Sequence, residues 1–449
     1  MTAPLWNRQE LIAATGGQLA AEVAVQRVVF DSRQVSPGDL FVALRAARDG
    51  HAFVADAFAA GAACAMVEHG EDPRCLIVPD TLTGLRALAA AGRARSSARV
   101  VAVTGSVGKT TVKEMLRLAL GAFGPTHAAA ASFNNHIGVP TTLANLPPAA
   151  AFAAVEIGMN SRGEIAPLAR LVRPHVAIIT TIGTAHLGRL GSRARIAEEK
   201  GDILLGLEAA GVAVLPADND FFPALRARAA CALSFGEGPK ADLRLIDWRE
   251  AAEAGEGRIA TPVGEVALHL PLPGRHLALN ACAVLAAVVA LGLDPAAAAA
   301  ALAAFAAGPG RGQRRRIALP GGGSFLLLDE SYNASDSSLR ATLAVLAAQP
   351  GRRIAVLGDM LELGEEGAAM HRALAPAVAA AADLVYVCGP LMSGLFAELP
   401  AAKRGAAMPD AESLAPLLSA ALRPGDVVLV KGSLGMRMAS IIQALDRPA

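Results

Sequence analysis

A glycine-bounded loop at residues 104–111 carries residue types that bind phosphate groups. The loop reads Thr-Gly-Ser-Val-Gly-Lys-Thr-Thr and follows an apolar run, with Val103 where the full phosphate-loop motif has its first glycine. Its backbone N–H groups can cradle phosphates, Lys109 can reach the outer phosphates, and the Thr110 hydroxyl can ligate Mg²⁺. The sequence therefore predicts a nucleoside triphosphate site with Mg²⁺. Its residues are Thr104, Gly105, Ser106, Val107, Gly108, Lys109, Thr110 and Thr111.

Three polar residues further along the chain are candidates for the same site. Glu156 follows one apolar run, and His186 lies just past the next. Ligands collect at the carboxyl ends of strands in open parallel sheets, and Mg²⁺ prefers carboxylate and phosphate oxygens. We therefore expect Glu156 and Thr110 to ligate Mg²⁺. Lys200 stands in an acidic helical stretch, and those surroundings alone indicate a solvated ion-pair residue.

Strands that alternate with helices must position these residues. The apolar runs that predict strands are 28–30, 40–42, 63–67, 75–78, 153–157, 176–180, 211–215, 325–328, 354–357, 384–387 and 427–430. Such runs, separated by helical patterns, are typical of parallel sheets covered on both faces. An alanine-rich helix is predicted from an Asp294 cap and Pro295 to Gly308. The stretch 321–324 predicts a hairpin turn.

The predicted fold class is α/β with three domains, as the length of 449 residues suggests. We expect a small N-terminal α/β substrate domain (1–80), a central parallel-sheet ATPase domain with the phosphate loop (81–308), and a C-terminal Rossmann-like domain (309–449). The glycine-rich stretch 308–312 is the candidate hinge.

Composition excludes several function classes. A formal charge of +1 gives no indication of a nucleic-acid partner. The five cysteines show no metal-ligand spacing, and we expect reduced thiols. Neither a secretory signal nor a long uncharged apolar run is evident. The expectation is a cytoplasmic monomer without membrane or nucleic-acid partners.

Motifs along the whole chain resemble those of the Mur ligase superfamily. The phosphate loop is followed in the same order by the stretches 134–140, 156–160, 185–187 and 200–201. The stretches 31–41 and 49–53 resemble the uridine-nucleotide-binding domain of its members. The late stretches 329–334, 357–364 and 430–433 resemble the branch that joins D-alanyl-D-alanine to UDP-N-acetylmuramoyl-tripeptide.

The resemblance implies roles for individual residues. Lys109, His186 and Lys200 would be catalytic, with Lys200 carbamylated so that it ligates a second Mg²⁺ beside Thr110, Glu156 and His186. The residues facing ATP would include Asn280, Arg311, Asp329 and Asn333, and those facing the other substrates Ser32, Arg33, Asn135 and Tyr332. The chain departs from the family pattern at Thr181, where asparagine is usual, and at Gly188, where an acidic residue is usual.

The activity that the resemblance implies is ATP-dependent amide formation through an acyl phosphate. Three alternatives stay open at this point. They are a sister ligase that adds the third amino acid, a polyglutamyl-folate synthase, and a phosphate-loop switch or regulatory ATP-binding module without ligase chemistry. The stretch 31–33 argues against the folate enzyme, and the stretch 357–364 argues against the third-residue ligase.

Overall fold

The computed structural model of the chain describes residues 4–446, whose strands form four β-sheets. The predicted α/β class is confirmed. Residues 1–3 and 447–449, at the outer ends of the predicted first and third domains, lie outside the described residues. Within residues 4–446, no helix has the length and apolar character needed to cross a membrane.

The N-terminal part is a small α/β unit packed against the central part of the chain. Its elements are β1 (Trp6–Asn7), α1 (Arg8–Thr15), β2 (Ala24–Val25), β3 (Arg27–Val29), β4 (Asp39–Val42), α2 (Val54–Ala59), β5 (Cys64–Val67) and β6 (Cys75–Ile77). Helix α3 (Thr81–Arg95), at the start of the predicted central domain, packs against it. Strands β3 to β6 form a parallel sheet in sequence order. Leu85 and Leu88 of α3 share a core with Trp6 and Ala144, and the Trp6 indole donates to the Ala144 carbonyl at 2.8 Å. These contacts fasten the N-terminal unit to the central part.

A nine-stranded sheet forms the central part. Its elements are β7 (Arg99–Thr104), α4 (Lys109–Gly121), β8 (Thr126–Ala128), α5 (Gly138–Ala144), β9 (Phe152–Glu156), α6 (Ile165–Val172), β10 (Val176–Ile179), α7 (Leu187–Leu190), α8 (Arg193–Gly201), β11 (Val212–Pro216), α9 (Phe222–Arg226), β12 (Ala232–Gly236), β13 (Leu243–Glu250), β14 (Gly255–Thr261), β15 (Gly264–Leu270), α10 (Arg275–Ala290) and α11 (Pro295–Ala301). The strand order is β15-β14-β13-β12-β11-β10-β7-β9-β8. Helices α4, α10 and α11 cover one face, and α6 and α8 contribute to the core on the other.

Two features of the central part differ from the sequence predictions. Strands β14 and β15 pair antiparallel at one edge, so the sheet is mixed where a parallel one was predicted. The alanine-rich helix begins at its predicted Asp294 cap but ends at Ala301, well before Gly308. A tighter turn at Leu302–Ala304 follows, and Leu302 and Phe305 are both buried in the core there. Burial of these two side chains therefore overrides the helix-forming preference of the alanines.

The C-terminal part has a six-stranded sheet with helices on both faces. Its elements are β16 (Gln313–Ala318), β17 (Ser324–Glu330), α12 (Asp336–Ala347), β18 (Arg353–Gly358), α13 (Gly367–Arg372), α14 (Ala375–Ala381), β19 (Leu384–Cys388), α15 (Pro390–Glu398), β20 (Arg404–Met408), α16 (Ala411–Ala421), β21 (Val427–Lys431) and α17 (Ala439–Leu445). The order β16-β17-β21-β18-β19-β20 places the last strand between β17 and β18. The predicted hairpin turn joins β16 to β17. Ligand sites of such sheets lie at the carboxyl ends of strands near this change in order.

Candidate active site

The phosphate loop joins β7 to α4 in the way its sequence predicts. Gly105 and Gly108 both have positive φ angles, of 150° and 84°. A Cβ atom on Gly108 would lie 2.8 Å from Oδ1 of Asn280, which comes from α10. The backbone at both positions therefore requires glycine. The close approach also brings Asn280, predicted to lie near the adenine, directly against the loop.

Lys109 is held over the loop by its own backbone. Its Nζ atom donates to the Gly105 carbonyl at 2.8 Å. Burial lowers the pKa of Lys109, and the nearby Glu156 carboxylate opposes that shift. The ammonium therefore lies where incoming phosphate oxygens would replace the Gly105 carbonyl as its partner.

Glu156 organises a set of oxygen-bearing side chains at the start of α4. One of its carboxylate oxygens accepts from the Thr110 hydroxyl at 2.8 Å, and the other accepts from the Asn134 amide at 2.7 Å. Ser132 lies 3.1 Å from the Thr110 hydroxyl and accepts from the Arg311 guanidinium at 2.8 Å. Hard cations prefer oxygen ligands of this kind. Two of the predicted metal ligands, Thr110 and Glu156, are thus in direct contact.

Lys200 lies inside the central part, so its interpretation as a solvated ion-pair residue is wrong. Its side chain is fully buried in α8, and its Nζ atom has no hydrogen-bond partner. Burial lowers the pKa of Lys200 well below the ordinary value, and the neighbouring charge of Lys109 adds to the shift. A buried amine without a partner is costly, and low dielectric favours its neutral form.

His186 links the central part to the C-terminal part. It adopts a left-handed backbone conformation with a φ angle of 68°. Its Nδ1 atom lies 2.6 Å from a carboxylate oxygen of Glu362, which follows β18. Burial, followed by the charge of Lys200, lowers the pKa of His186, while Glu362 opposes the shift. The imidazole therefore favours its neutral form, which can ligate a metal.

A cavity of about 840 Å³ brings most of the predicted site residues together between the central and C-terminal parts. The predicted residues that line it are Ser106, Val107, Gly108, Lys109, Thr110, Thr111, Asn135, Glu156, His186, Asn280, Arg311, Tyr332 and Asn333. The Arg311 guanidinium lies 3.8 Å from the centre of the Tyr332 ring. The predicted residues outside the lining are Ser32, Arg33, Thr104, Gly105, Lys200 and Asp329.

Asp329 forms hydrogen bonds with the candidate hinge, residues 308–312. One of its carboxylate oxygens accepts from the Gly310 N–H at 2.9 Å, and the other accepts from the Ser331 hydroxyl at 2.7 Å. The Asp329 carbonyl accepts from the Gly312 N–H at 2.8 Å, and the Gly310 carbonyl accepts from the Tyr332 N–H at 3.0 Å. Residues 310–312 are therefore bonded to the C-terminal sheet, and Arg311 is fixed to the same body.

Sequence reasoning did not single out several residues that the structure places at this site. Ser132 and Asn134 contact the Glu156 cluster, and Glu362 contacts His186. Lys431 is nearly fully buried at the end of β21, where its Nζ atom donates to Glu330 at 3.3 Å. Asn134, Glu362 and Lys431 lie inside motifs that the resemblance rests on, whereas Ser132 lies in a loop without a recognisable pattern.

No group of three or more His, Cys, Asp or Glu side chains is arranged to hold a metal ion in the described part of the chain. The oxygen donors at the start of α4 are the Thr110 hydroxyl and the Glu156 carboxylate. That composition suits Mg²⁺, which commonly takes one or two carboxylates together with phosphate oxygens.

Comparison with known proteins assigns the family. Residues 103–288 match the Mur ligase middle domain, and residues 315–434 match the Mur ligase glutamate ligase domain. The two matches together span more than half of the chain. The chain belongs to the Mur ligase family.

Within that family, the similarity to one kind of ligase extends over nearly the whole chain. The chain is 37% identical to the UDP-N-acetylmuramoyl-tripeptide–D-alanyl-D-alanine ligase of Escherichia coli, with 97% of each chain covered. A crystal structure of MurF from Acinetobacter baumannii superposes with a TM-score of 0.85 at 32% identity, covering 98% of each chain. MurF from Thermotoga maritima, solved in complex with ADP, gives a TM-score of 0.79 at 29% identity and covers 94% of this chain and 97% of that one.

Proposed function

We propose that this chain joins D-alanyl-D-alanine to UDP-N-acetylmuramoyl-tripeptide at the expense of ATP. The products are UDP-N-acetylmuramoyl-pentapeptide, ADP and phosphate, and the reaction serves peptidoglycan precursor synthesis. The observation that carries the proposal is one cavity in which the phosphate loop meets the carboxyl ends of the C-terminal sheet. The similarity over nearly the full length to ligases of this name supports the same substrates.

ATP binding is assigned to the phosphate loop and to residues that face it. Backbone N–H groups from Gly105 to Thr111 surround the phosphates, and Lys109 neutralises the outer ones. Asn280, which lies on α10, contacts the phosphate loop. We assign it to the nucleoside part of ATP. Arg311 and Asn333 reach the nucleotide from the C-terminal body. Asp329 contributes to ATP binding indirectly, by holding the residues around Arg311 in place. Its carboxylate already accepts hydrogen bonds from Gly310 and Ser331.

Mg²⁺ is the metal that the donor set fits. Thr110 and Glu156 would hold one ion together with phosphate oxygens, and His186 would join a second. The orphaned Lys200 amine fits the carbamylation that the family resemblance implies, because burial lowers its pKa well below the ordinary value and so favours the neutral amine, which is the form that reacts with carbon dioxide. The carbamate would convert an uncharged amine into an anionic oxygen ligand. When bound, Mg²⁺ supplies positive charge beside the transferring phosphoryl group.

The chemistry proceeds in two steps. The terminal carboxylate of the tripeptide attacks the γ-phosphorus of ATP, the bond to the β-phosphate oxygen breaks, and ADP leaves. The free amine of D-alanyl-D-alanine then attacks the acyl carbon of the acyl phosphate, loses a proton and expels inorganic phosphate. Phosphoryl transfer is catalysed mainly by positioning and charge neutralisation, which Lys109 provides directly. Closure of the cavity protects the acyl phosphate from water.

We assign one of the three substrates to each of the three predicted domains. We assign residues 1–80 to the UDP end of the long substrate, with Ser32 and Arg33 facing it. Residues 81–308 hold ATP, and Asn135, at the rim of the loop cavity, faces the peptide portion. Residues 309–449 bring the dipeptide, with Tyr332 at the boundary between nucleotide and substrate. Substitution of Arg33 by alanine should raise the KM for the UDP substrate and leave the KM for ATP unchanged.

We further propose that the chain works as a cytoplasmic monomer. Four of its five cysteines are buried free thiols, and burial raises the pKa of Cys64 to about 12. Inert reduced thiols suit a reducing compartment. Sedimentation at micromolar concentration, with and without nucleotide, tests the monomeric state, and a dimer under either condition would contradict it.

The deciding experiment measures phosphate release with Mg-ATP and UDP-N-acetylmuramoyl-tripeptide, with and without D-alanyl-D-alanine. We expect release that requires the dipeptide and is not supported by single amino acids. Release supported by a single diamino acid on the dipeptide precursor would reassign the chain to the sister ligase. The absence of acceptor-dependent release under all of these conditions would contradict ligase activity.

A further inference from the structure

Two exposed leucines stand at the carboxyl edge of the C-terminal sheet. Leu361 follows β18 and is 41% exposed, and Leu434 follows β21 and is 62% exposed. Both line the cavity that contains the phosphate loop. Three other large apolar side chains are exposed to a similar degree in the described residues, and none of them lines that cavity. Exposed apolar surface inside a binding cleft indicates contact with a ligand.

The two leucines are held in place by a network of hydrogen bonds. The Ser433 hydroxyl accepts from the Leu361 N–H at 2.9 Å, and the Ser433 N–H donates to the Asp359 carbonyl at 3.1 Å. The buried Asp359 carboxylate accepts from the Met392 N–H at 2.7 Å. The loops after β18 and β21 are therefore tied to each other. Their apolar surface is a fixed part of the cavity wall.

Side chains of opposite charge line the same cavity and lie close to the two leucines in the chain. Glu362 follows Leu361 directly, and its carboxylate reaches His186 of the central part. Lys431 ends β21 three residues before Leu434, and its ammonium donates to Glu330 and to the Asn333 carbonyl. A cavity wall that combines apolar surface with an anionic and a cationic side chain complements a short zwitterion with small apolar side chains. A dipeptide of alanines has that form.

We infer that Leu361 and Leu434 form the floor of the acceptor subsite and contact the methyl groups of the incoming dipeptide. The amine of the dipeptide lies toward Glu362, which is the direction of His186 and the phosphate loop, where it must meet the acyl phosphate. The carboxylate of the dipeptide lies toward Lys431. The inference rests on the proposed ligase function and adds the residues that select a small apolar acceptor.

The first test replaces Leu434, which is exposed enough for substitution without damage to the core. Leu434→Asp should raise the KM for D-alanyl-D-alanine at least about tenfold, because it removes an apolar contact and adds a charge beside the methyl groups. The KM values for ATP and the UDP substrate should stay within about twofold of the wild type, as for any residue outside their contacts. The matched control is Leu417→Asp, on α16, because Leu417 is 44% exposed and does not line the cavity.

The second test compares acceptors. Each methyl group buried on the leucines favours binding by about fourfold, so the wild type should prefer D-alanyl-D-alanine to glycylglycine by roughly 16-fold in kcat/KM. Leu434→Ala should lose a large part of that preference, whereas a general structural defect would weaken both acceptors equally. An unchanged KM for the dipeptide in Leu434→Asp, or an unchanged preference in Leu434→Ala, would overturn the inference while the wild type remains a ligase. A wild type without dipeptide-dependent phosphate release would overturn both proposals.

Discussion

Replacement of Gly188 by alanine should separate the two parts of the protein that enclose the cavity. The Gly188 N–H donates to the Glu362 carbonyl at 2.7 Å, so α7 of the central part contacts the loop after β18. A Cβ atom at Gly188 would lie 2.6 Å from the Gly364 nitrogen and 3.0 Å from the Glu362 carbonyl oxygen. The loop after β18 therefore approaches α7 so closely that Gly188 has no room for a side chain.

The size of the effect can be worked out from the contacts that would be lost. A methyl group needs about 3.5 Å from its neighbours, so the loop must withdraw by roughly 1 Å. That shift weakens one backbone hydrogen bond, worth about 1 kcal/mol, and the half-exposed pair between Arg189 and Glu362, worth at most ~1 kcal/mol. Together these contacts favour the observed arrangement of the two parts by about 5- to 30-fold at ~1–2 kcal/mol. Misplacement of a reacting group by 1 Å can itself cost about 100-fold in rate.

We therefore expect kcat/KM for the dipeptide to fall by about 10- to 100-fold in Gly188→Ala. The KM for ATP should rise less, because the phosphate loop lies in the central part and keeps its contacts. Steady-state phosphate release measures both values, and small-angle scattering with an ATP analogue measures closure. The matched control is Gly121→Ala, because a Cβ atom at the end of α4 meets nothing within 4 Å. Full activity and an unchanged scattering curve in Gly188→Ala would refute the argument.

Three further predictions concern the metal site and pH. Lys200→Ala should lose most activity and recover part of it with added short carboxylates; full activity of the plain variant would exclude a carbamate role. Glu156→Gln should raise the Mg²⁺ concentration needed for half-maximal phosphate release by at least about tenfold, and an unchanged requirement would contradict its ligand role. Arg353 lowers the pKa of Asp383 to about 2, so this pair stabilises the folded state above about pH 4 and less as the pH falls toward 2. Asp383→Asn should therefore cost about 0.5–1 kcal/mol in urea unfolding at pH 7, since the pair is partly exposed, and a cost that persisted at pH 2 would oppose this assignment.

The strands and the phosphate loop were accessible from the sequence because their patterns are local. Continuous apolar runs predicted β7, which leads into the loop, and the strands next to it in the sheet. The loop contains glycine where the backbone has positive φ angles, so its glycine pattern was a local signal of its conformation. The antiparallel edge of the central sheet was missed even though buried and exposed residues alternate along β15. That edge includes polar and charged residues, and it lacks the uninterrupted apolar run on which the other predictions relied.

The environment of Lys200 was inaccessible from local sequence. Its acidic neighbours indicate a solvated helix face, but Glu199 instead accepts from the N–H groups of Gly163 and Ile165, at 2.7 and 3.0 Å. Only the tertiary fold turns this part of α8 inward, so the burial of Lys200 could be anticipated through the family resemblance alone. His186 and Glu362 likewise lie far apart in the sequence. The spacing of apolar residues along the chain carries no information about such a contact.

The bonds from Asp329 to the glycine-rich stretch determine where the chain can rotate. Because residues 310–312 are hydrogen-bonded to the C-terminal sheet, we predict that any rotation between the two parts occurs in the few residues before Gly310. A connection this short has few free dihedral angles, so closing costs little conformational entropy and follows one main axis. Arg311 belongs to the C-terminal part, yet its guanidinium donates to the Ser132 hydroxyl of the central part. We therefore predict that a nucleotide bound near Arg311 influences the position of the loops after β18 and β21, which lie at the carboxyl edge of the C-terminal sheet.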